Sequence, residues 1–138
     1  MSAVLAPRPP PEVSAEGMAA AGLRAFSRIA EAWALTVDEQ LLLLGQPPRS
    51  TYFAWRKHPE KAAVARDTLE RLSNILGIYK SLQILLPDAV AADAWVRQPN
   101  SAAPFGGGTA LARMLAGNVS DLNLVRRYLD GVRGGGWS

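Results

Sequence analysis

Between Asp67 and Leu86 the sequence DTLERLSNILGIYKSLQILL repeats apolar residues at helical spacing. Leu69, Leu72, Leu76 and Tyr79 form one stripe, and Ile75, Ile78, Leu82 and Leu85 form a second beside it. Together they make an apolar arc wider than the single stripe of a surface helix. The segment therefore predicts a helix covered by neighbours on more than one side. Twenty residues of helix make a rod about 30 Å long, the span of a small domain. Pro87 ends it, because the residue before a proline is pushed out of helical geometry. A strut of this kind constrains the rest of the chain. The flanking segments must supply the helices that cover it, and the expected fold class is all-α.

A chain of 138 residues is expected to form one compact domain, or a domain with a small appendage. Cysteine is absent, which excludes disulfides and thiolate metal sites and fits a cytoplasmic setting. With a single histidine, His58, no cluster of imidazole ligands can form, so neither a metal nor a cofactor is expected. No apolar run approaches the ~20 residues that span a bilayer. The start, MSAVLAPRPPPEVS, lacks a basic stretch followed by an apolar core, so a secretory leader is not expected.

The first 13 residues include Pro7, Pro9, Pro10 and Pro11 and predict a disordered or extended arm. Ser14 can cap a helix reaching about Trp33, with Leu23, Phe26, Ile29, Ala30 and Trp33 on its buried face. Thr36 and Glu39 have the spacing of a capping box, and the short helix they start stops at Gly45. After the stiff turn Gln46-Pro47-Pro48, a second short helix is expected from Arg49 to Lys57, closed by His58-Pro59. This is the layout of a helix-turn-helix, whose second helix lies in the DNA major groove. An ordinary helical hairpin has the same layout. Tyr52 and Trp55 are expected to face inward. Arg49, Ser50, Phe53, Arg56 and Lys57 are the candidate DNA-binding residues. Arg49 stands where base edges are read, and Arg56 and Lys57 where phosphates are held. Ala54 also falls on the outward face, where a polar side chain would read DNA better. His58, beside a proline at a helix end, is expected to cap rather than catalyse.

Residues 60–66 are expected to lead into the central helix. Ala89 to Val96 predicts another short helix, with Val90, Ala94 and Trp95 inward. The loop NSAAPFGGG, 100–108, has three consecutive glycines but no preceding strand and no following Gly-Lys-Ser/Thr. A close-packed or mobile turn pinned by Phe105 is therefore expected, not a phosphate cradle. Thr109 caps a helix over 110–116, with Leu111, Met114 and Leu115 inward and Gly117 at its end. A last helix starts near Asn118 or Ser120, with Leu122, Val125 and Leu129 as its stripe. The tail ends in Gly134-Gly135-Gly136-Trp137-Ser138. Trp137 either folds back or anchors a partner.

The net charge of +3 is unevenly placed. Residues 36–66 carry Arg49, Arg56, Lys57, Lys61 and Arg66 against Asp38, Glu39 and Glu60. Residues 99–138 carry Arg113, Arg126, Arg127 and Arg133 against Asp121 and Asp130. Each basic patch suits an anionic partner. No nucleophile–base–orienter set can be assembled, so no catalytic residue is expected.

From RLSNILGIYKSLQILLPD (71–88) onward, a long ordered set of residues resembles the bacterial Xre/MbcA/ParS antitoxin family. The set continues with Trp95, Pro99-Asn100, Phe105-Gly106, TALARMLAG (109–117) and VRRYLDGVRGGGW (125–137). LLLLGQPPRSTYFAWRKHP is similar to that family's Xre-like helix-turn-helix. Ala110 departs from the family's Thr-Pro-Leu and merely continues a helix. The resemblance implies three units: the arm over 1–13, an Xre-like region over 14–66, and a C-terminal toxin-binding helical domain over 67–138. It implies an antitoxin without catalytic activity that covers the active site of a RES-domain toxin acting on NAD. It also implies a homodimer that binds its own promoter. On this resemblance the toxin-binding residues are Asn100, Phe105, Arg126, Arg127, Arg133 and Trp137. A plain helix-turn-helix regulator with a helical dimerisation or sensing domain is the alternative.

Overall fold

The computed structural model describes residues 15–134. The expected arm, Ser14 and Trp137 lie outside the described residues. Seven α-helices follow in order: α1 (Ala15–Ala32), α2 (Val37–Leu43), α3 (Arg49–Lys57), α4 (Arg66–Leu85), α5 (Ala89–Ala94), α6 (Ala110–Met114) and α7 (Val119–Arg133). Short 3-10 turns lie at Pro59–Lys61 and Trp95–Arg97. Among the described residues there is no strand, only an isolated bridge between Pro99 and Thr109. Among the described residues no helix is long and apolar enough to cross a membrane.

Helix α4 is the strut that its sequence predicts. Leu72, Ile75, Ile78 and Leu82 are buried, while Leu76, Tyr79 and Leu85 pack half-buried against the core. One flank of α4 takes α1. The Gly22 backbone lies on Leu72, and Trp33 sits against Tyr79 at 6.3 Å between ring centres. The other flank takes α7, which runs in the same direction: Ser73 meets Arg126, and Ser81 meets Asp130 and Arg133. A small-residue row, Ser73-Gly77-Ser81, makes room for these long side chains. A methyl group at Gly77 would stand only 2.5 Å from Arg126 Nε. Two flanks covered by different helices account for the double stripe.

One expectation is refined and a second corrected. Residues 60–65 lead into α4, which begins at Arg66, but they do not continue it as a helix. Pro59 has no amide hydrogen to extend the α3 ladder, so the chain makes one 3-10 turn and runs extended through buried Ala62 to Ala65. Val90 does not face inward. It is 76% exposed, and Ala92 and Val96 take the buried positions of that segment. α5 lasts only six residues before tightening into the 3-10 turn, which shifts the inward face by two positions.

α1 ends in a Schellman motif. Leu35 N–H donates to Ala30 O at 2.9 Å and Ala34 N–H to Glu31 O at 3.0 Å. The left-handed residue that closes it is Ala34, at φ +53°, where glycine is usual. Ala34→Gly is expected to stabilise the protein by about 1 kcal/mol, the left-handed penalty of a residue with a Cβ. A thermal or urea melt reads this directly, and an unchanged or lower midpoint would contradict it.

Candidate functional site

The first site is built on α2 and α3. Thr36 and Glu39 form the expected capping box: Glu39 N–H donates to Thr36 Oγ1 at 3.1 Å, and Thr36 N–H donates to Glu39 Oε1 at 2.9 Å. α2 stops in a second Schellman motif, closed this time by Gly45 at φ +89°. Gly45 also lies against α4. A methyl group there would stand 2.9 Å from Arg71 Nε and 3.0 Å from Asp67 Oδ2, which are ion-paired to each other. The turn of the helical pair is thus seated on the first turns of the strut.

Tyr52 and Trp55 are buried, as expected. Tyr52 Oη–H donates to Gln40 Oε1, and Gln40 Nε2–H donates to Leu35 O at 3.0 Å. Burial pushes the Tyr52 phenol up to about 12, against a smaller opposing pull from Arg56, so it stays a donor. The first bond ties α3 to α2, and the second ties α2 back to the α1–α2 corner. They leave Arg49, Ser50, Phe53, Arg56 and Lys57 together on one exposed face. Arg49 is not free on that face, because its guanidinium pairs with Asp38 of α2. His58 pairs with Glu60 at 3.3 Å on the surface.

If α3 enters the major groove, Arg49→Ala will cost roughly 1–3 kcal/mol and relax specificity at one base pair. Lys57→Ala will weaken binding at every sequence and lower the salt dependence. Quantitative gel shifts at two or more salt concentrations separate the two effects.

The second site surrounds an aromatic triad. Phe105, on the loop, inserts edge-on against Trp95 at 5.9 Å and Tyr128 at 5.2 Å, and Trp95 stacks on Tyr128 at 6.4 Å. Phe105 therefore pins the loop, as expected. Asn100 shapes it. Its Oδ1 accepts from Ala102 N–H, and its backbone bonds Gly107 and Gly108. Gly106 and Gly107 sit at φ +56° and +92°, which the turn requires. Beside the triad lies an open groove of about 750 Å³, lined by Pro104, Ser120, Asn123, Leu124, Arg127, Tyr128 and Asp130. Ile84, Val90 and Val132 add exposed apolar surface to the C-terminal half.

The expected toxin-binding arginines separate into two kinds. Arg126 turns onto α4, where Nη1–H donates to Ser73 O at 3.1 Å, and its Nε lies 3.9 Å from Asp130. Arg133 donates to Ser81 Oγ at 3.3 Å. Arg127 has no such partner among the described residues and borders the groove. Arg113 is neutralised by buried Asp121 at 3.1 Å. The parts that sequence reasoning missed are Tyr128 and Trp95 as one cluster, the Asp38 clamp on Arg49, and Arg97. Arg97 bonds across to α1 and α2. All three are contacts between distant segments, and no local spacing announces them.

The fold and its two faces define a class: a helix-turn-helix unit joined through one shared helix to a helical partner-binding unit. The family model "Antitoxin Xre-like helix-turn-helix domain" matches residues 12–77, and "Antitoxin Xre/MbcA/ParS C-terminal toxin-binding domain" matches residues 81–135. The chain is 50% identical over 115 residues to the uncharacterized protein y4oB of Sinorhizobium fredii (strain NBRC 101917 / NGR234), which covers 83% of this chain and 86% of that protein. The chain belongs to the Xre/MbcA/ParS antitoxin family. It is an antitoxin whose partner is a toxin, with a helix-turn-helix unit of the DNA-binding kind.

Proposed function

We propose that this antitoxin neutralises a RES-domain toxin that consumes NAD, or uses it to ADP-ribosylate a target, by covering the toxin's active site. The observation that carries this reading is the open groove beside the Trp95–Phe105–Tyr128 triad, within the matched toxin-binding domain and bordered by Arg127, which has no partner among the described residues. A cleft that binds an anionic dinucleotide is lined with charge that a cation-bearing surface can meet. Aromatic and arginine side chains also dominate interface energetics. The toxin-binding residues we assign are Phe105 and Arg127 in contact with the toxin, and Asn100, Arg126 and Arg133 in support of that face. Trp137 is a further anchor. The proposed functional boundary falls between residues 66 and 67, with α4 serving both units.

The reading includes autoregulation. Arg49, Ser50, Phe53, Arg56 and Lys57 would meet the operon's promoter. A homodimer formed through the N-terminal unit would match a two-fold operator. A toxin that consumes NAD acts in the cytoplasm, so that location goes with the reading. The antitoxin itself contributes no catalytic step.

The test is co-purification with the product of the adjacent gene, followed by an NAD-consumption or ADP-ribosylation assay with and without the antitoxin. A stable complex in which activity is lost supports the reading. An adjacent product that neither binds nor turns over NAD would overturn it. A gel shift with the promoter tests autoregulation separately.

A further inference from the structure

Arg97 belongs to the toxin-binding half, yet among the described residues its guanidinium bonds only across to the other half. Its Nε–H donates to Trp33 O at 2.9 Å. Its Nη2–H donates to Ala34 O at 2.9 Å and meets Glu39 Oε1 at 3.3 Å. The last carbonyls of a helix have no partner within the helix, and that end carries partial negative charge. The α1 Schellman motif occupies only the carbonyls of Ala30 and Glu31. Arg97 takes two carbonyls beyond these, those of Trp33 and Ala34, with a full positive charge. The same guanidinium reaches the Glu39 oxygen that accepts from Thr36 N–H in the α2 capping box. Beside Glu39 stands Gln40, which bonds the α3 residue Tyr52. A continuous set of polar contacts thus runs from the 3-10 turn Trp95–Arg97, through the α1–α2 corner, to the DNA-facing helix.

We propose that Arg97 is a positioning residue for DNA binding. From the toxin-binding half it fixes the angle at which α2, and through it α3, leaves the end of α1. This rests on the DNA-binding reading of α3 given above. The corner needs such a clamp. Ala34 holds it in a left-handed conformation that alanine disfavours, and α2 is only seven residues long, too short to be stable alone. A lone surface ion pair would matter little. Arg97 instead makes three charge-assisted bonds, two of them to backbone carbonyls.

The test uses the full chain as wild type, Arg97→Ala, Arg97→Lys and Glu39→Gln. Amide hydrogen exchange across residues 35–40 is measured first, without DNA or toxin. Promoter affinity and toxin inhibition follow. Arg97→Ala is expected to speed exchange in that segment and weaken promoter binding about tenfold, a charge-assisted bond discounted for partial exposure. Toxin inhibition should stay at the wild-type level. Arg97→Lys should recover only part of the affinity, because an ammonium cannot span both carbonyls and Glu39 in one plane. Glu39→Gln keeps a capping oxygen, removes the charge and should fall between wild type and Arg97→Ala. It gives the same information if Arg97→Ala folds poorly. Wild-type exchange and wild-type promoter affinity in Arg97→Ala would overturn the proposal. So would a folded Arg97→Ala that loses toxin inhibition as much as DNA binding. Failure of the wild-type chain to bind its promoter would instead overturn the DNA-binding reading, and the exchange experiment would still decide whether Arg97 holds the corner.

Discussion

Leu82→Asp will leave no folded protein, and toxin binding and DNA binding will disappear together. Leu82 is 1% exposed on the strut, in the core that α4 shares with α7 and with the α5 segment. Removing a buried leucine side chain alone costs about 2–5 kcal/mol. Aspartate adds an unpaired charge in a site without a cation to meet it, at several kcal/mol more. The sum matches or exceeds the roughly 5–15 kcal/mol that holds a domain of this kind together. Circular dichroism and a thermal melt read the loss. The two binding assays then test whether α4 ties the functional units as tightly as its two packed flanks imply. Ile84→Asp is the control on the same helix. Ile84 is 52% exposed, and a surface change of this kind stays within about 0.5 kcal/mol. Survival of either function in Leu82→Asp would show that the units fold without the strut.

Arg127→Glu is expected to abolish toxin neutralisation while leaving the melt and promoter binding unchanged. Arg127 borders the groove and has no partner among the described residues. No contact among the described residues is lost with it, and on the proposed reading the reversed charge opposes the toxin surface. Truncating an interface hot spot costs about 2–4 kcal/mol, or roughly 30- to 1000-fold in affinity. Arg126→Glu is the informative contrast. Its guanidinium lies over Gly77 and bonds the Ser73 carbonyl, so reversal there is expected to lower stability first. An inhibition constant for Arg127→Glu equal to wild type would remove Arg127 from the interface. A loss confined to Arg126→Glu without any change in melting would reverse the two assignments.

Wherever a feature depends on residues close in the chain, the structure follows the sequence closely. The Thr36–Glu39 capping box forms, Gly45 closes α2, α3 spans Arg49–Lys57, and Thr109 caps α6. Propensity, capping and proline stops act over one helical turn, so a local reading reaches them. The 60–66 connection and Val90 depart from the local pattern because neither is set within one helical turn. Both depend on how a short segment adjusts to what lies beneath it.

The faces are a different matter. The sequence places Arg49, Arg126, Arg127 and Arg133 in two basic patches and treats them alike. Only packing distinguishes them: Asp38 engages Arg49, the α4 carbonyl at Ser73 and the Ser81 hydroxyl engage Arg126 and Arg133, and Arg127 is left unengaged among the described residues. Trp95, Phe105 and Tyr128 are likewise three unrelated aromatics until α7 is laid along α4. The sequence by itself determined an all-α chain built around one doubly buried helix, because hydrophobic period and helix caps are written locally. The tertiary structure decided which charges are engaged and which are offered. That depends on the register and crossing of helices far apart in the chain, for which no local pattern exists.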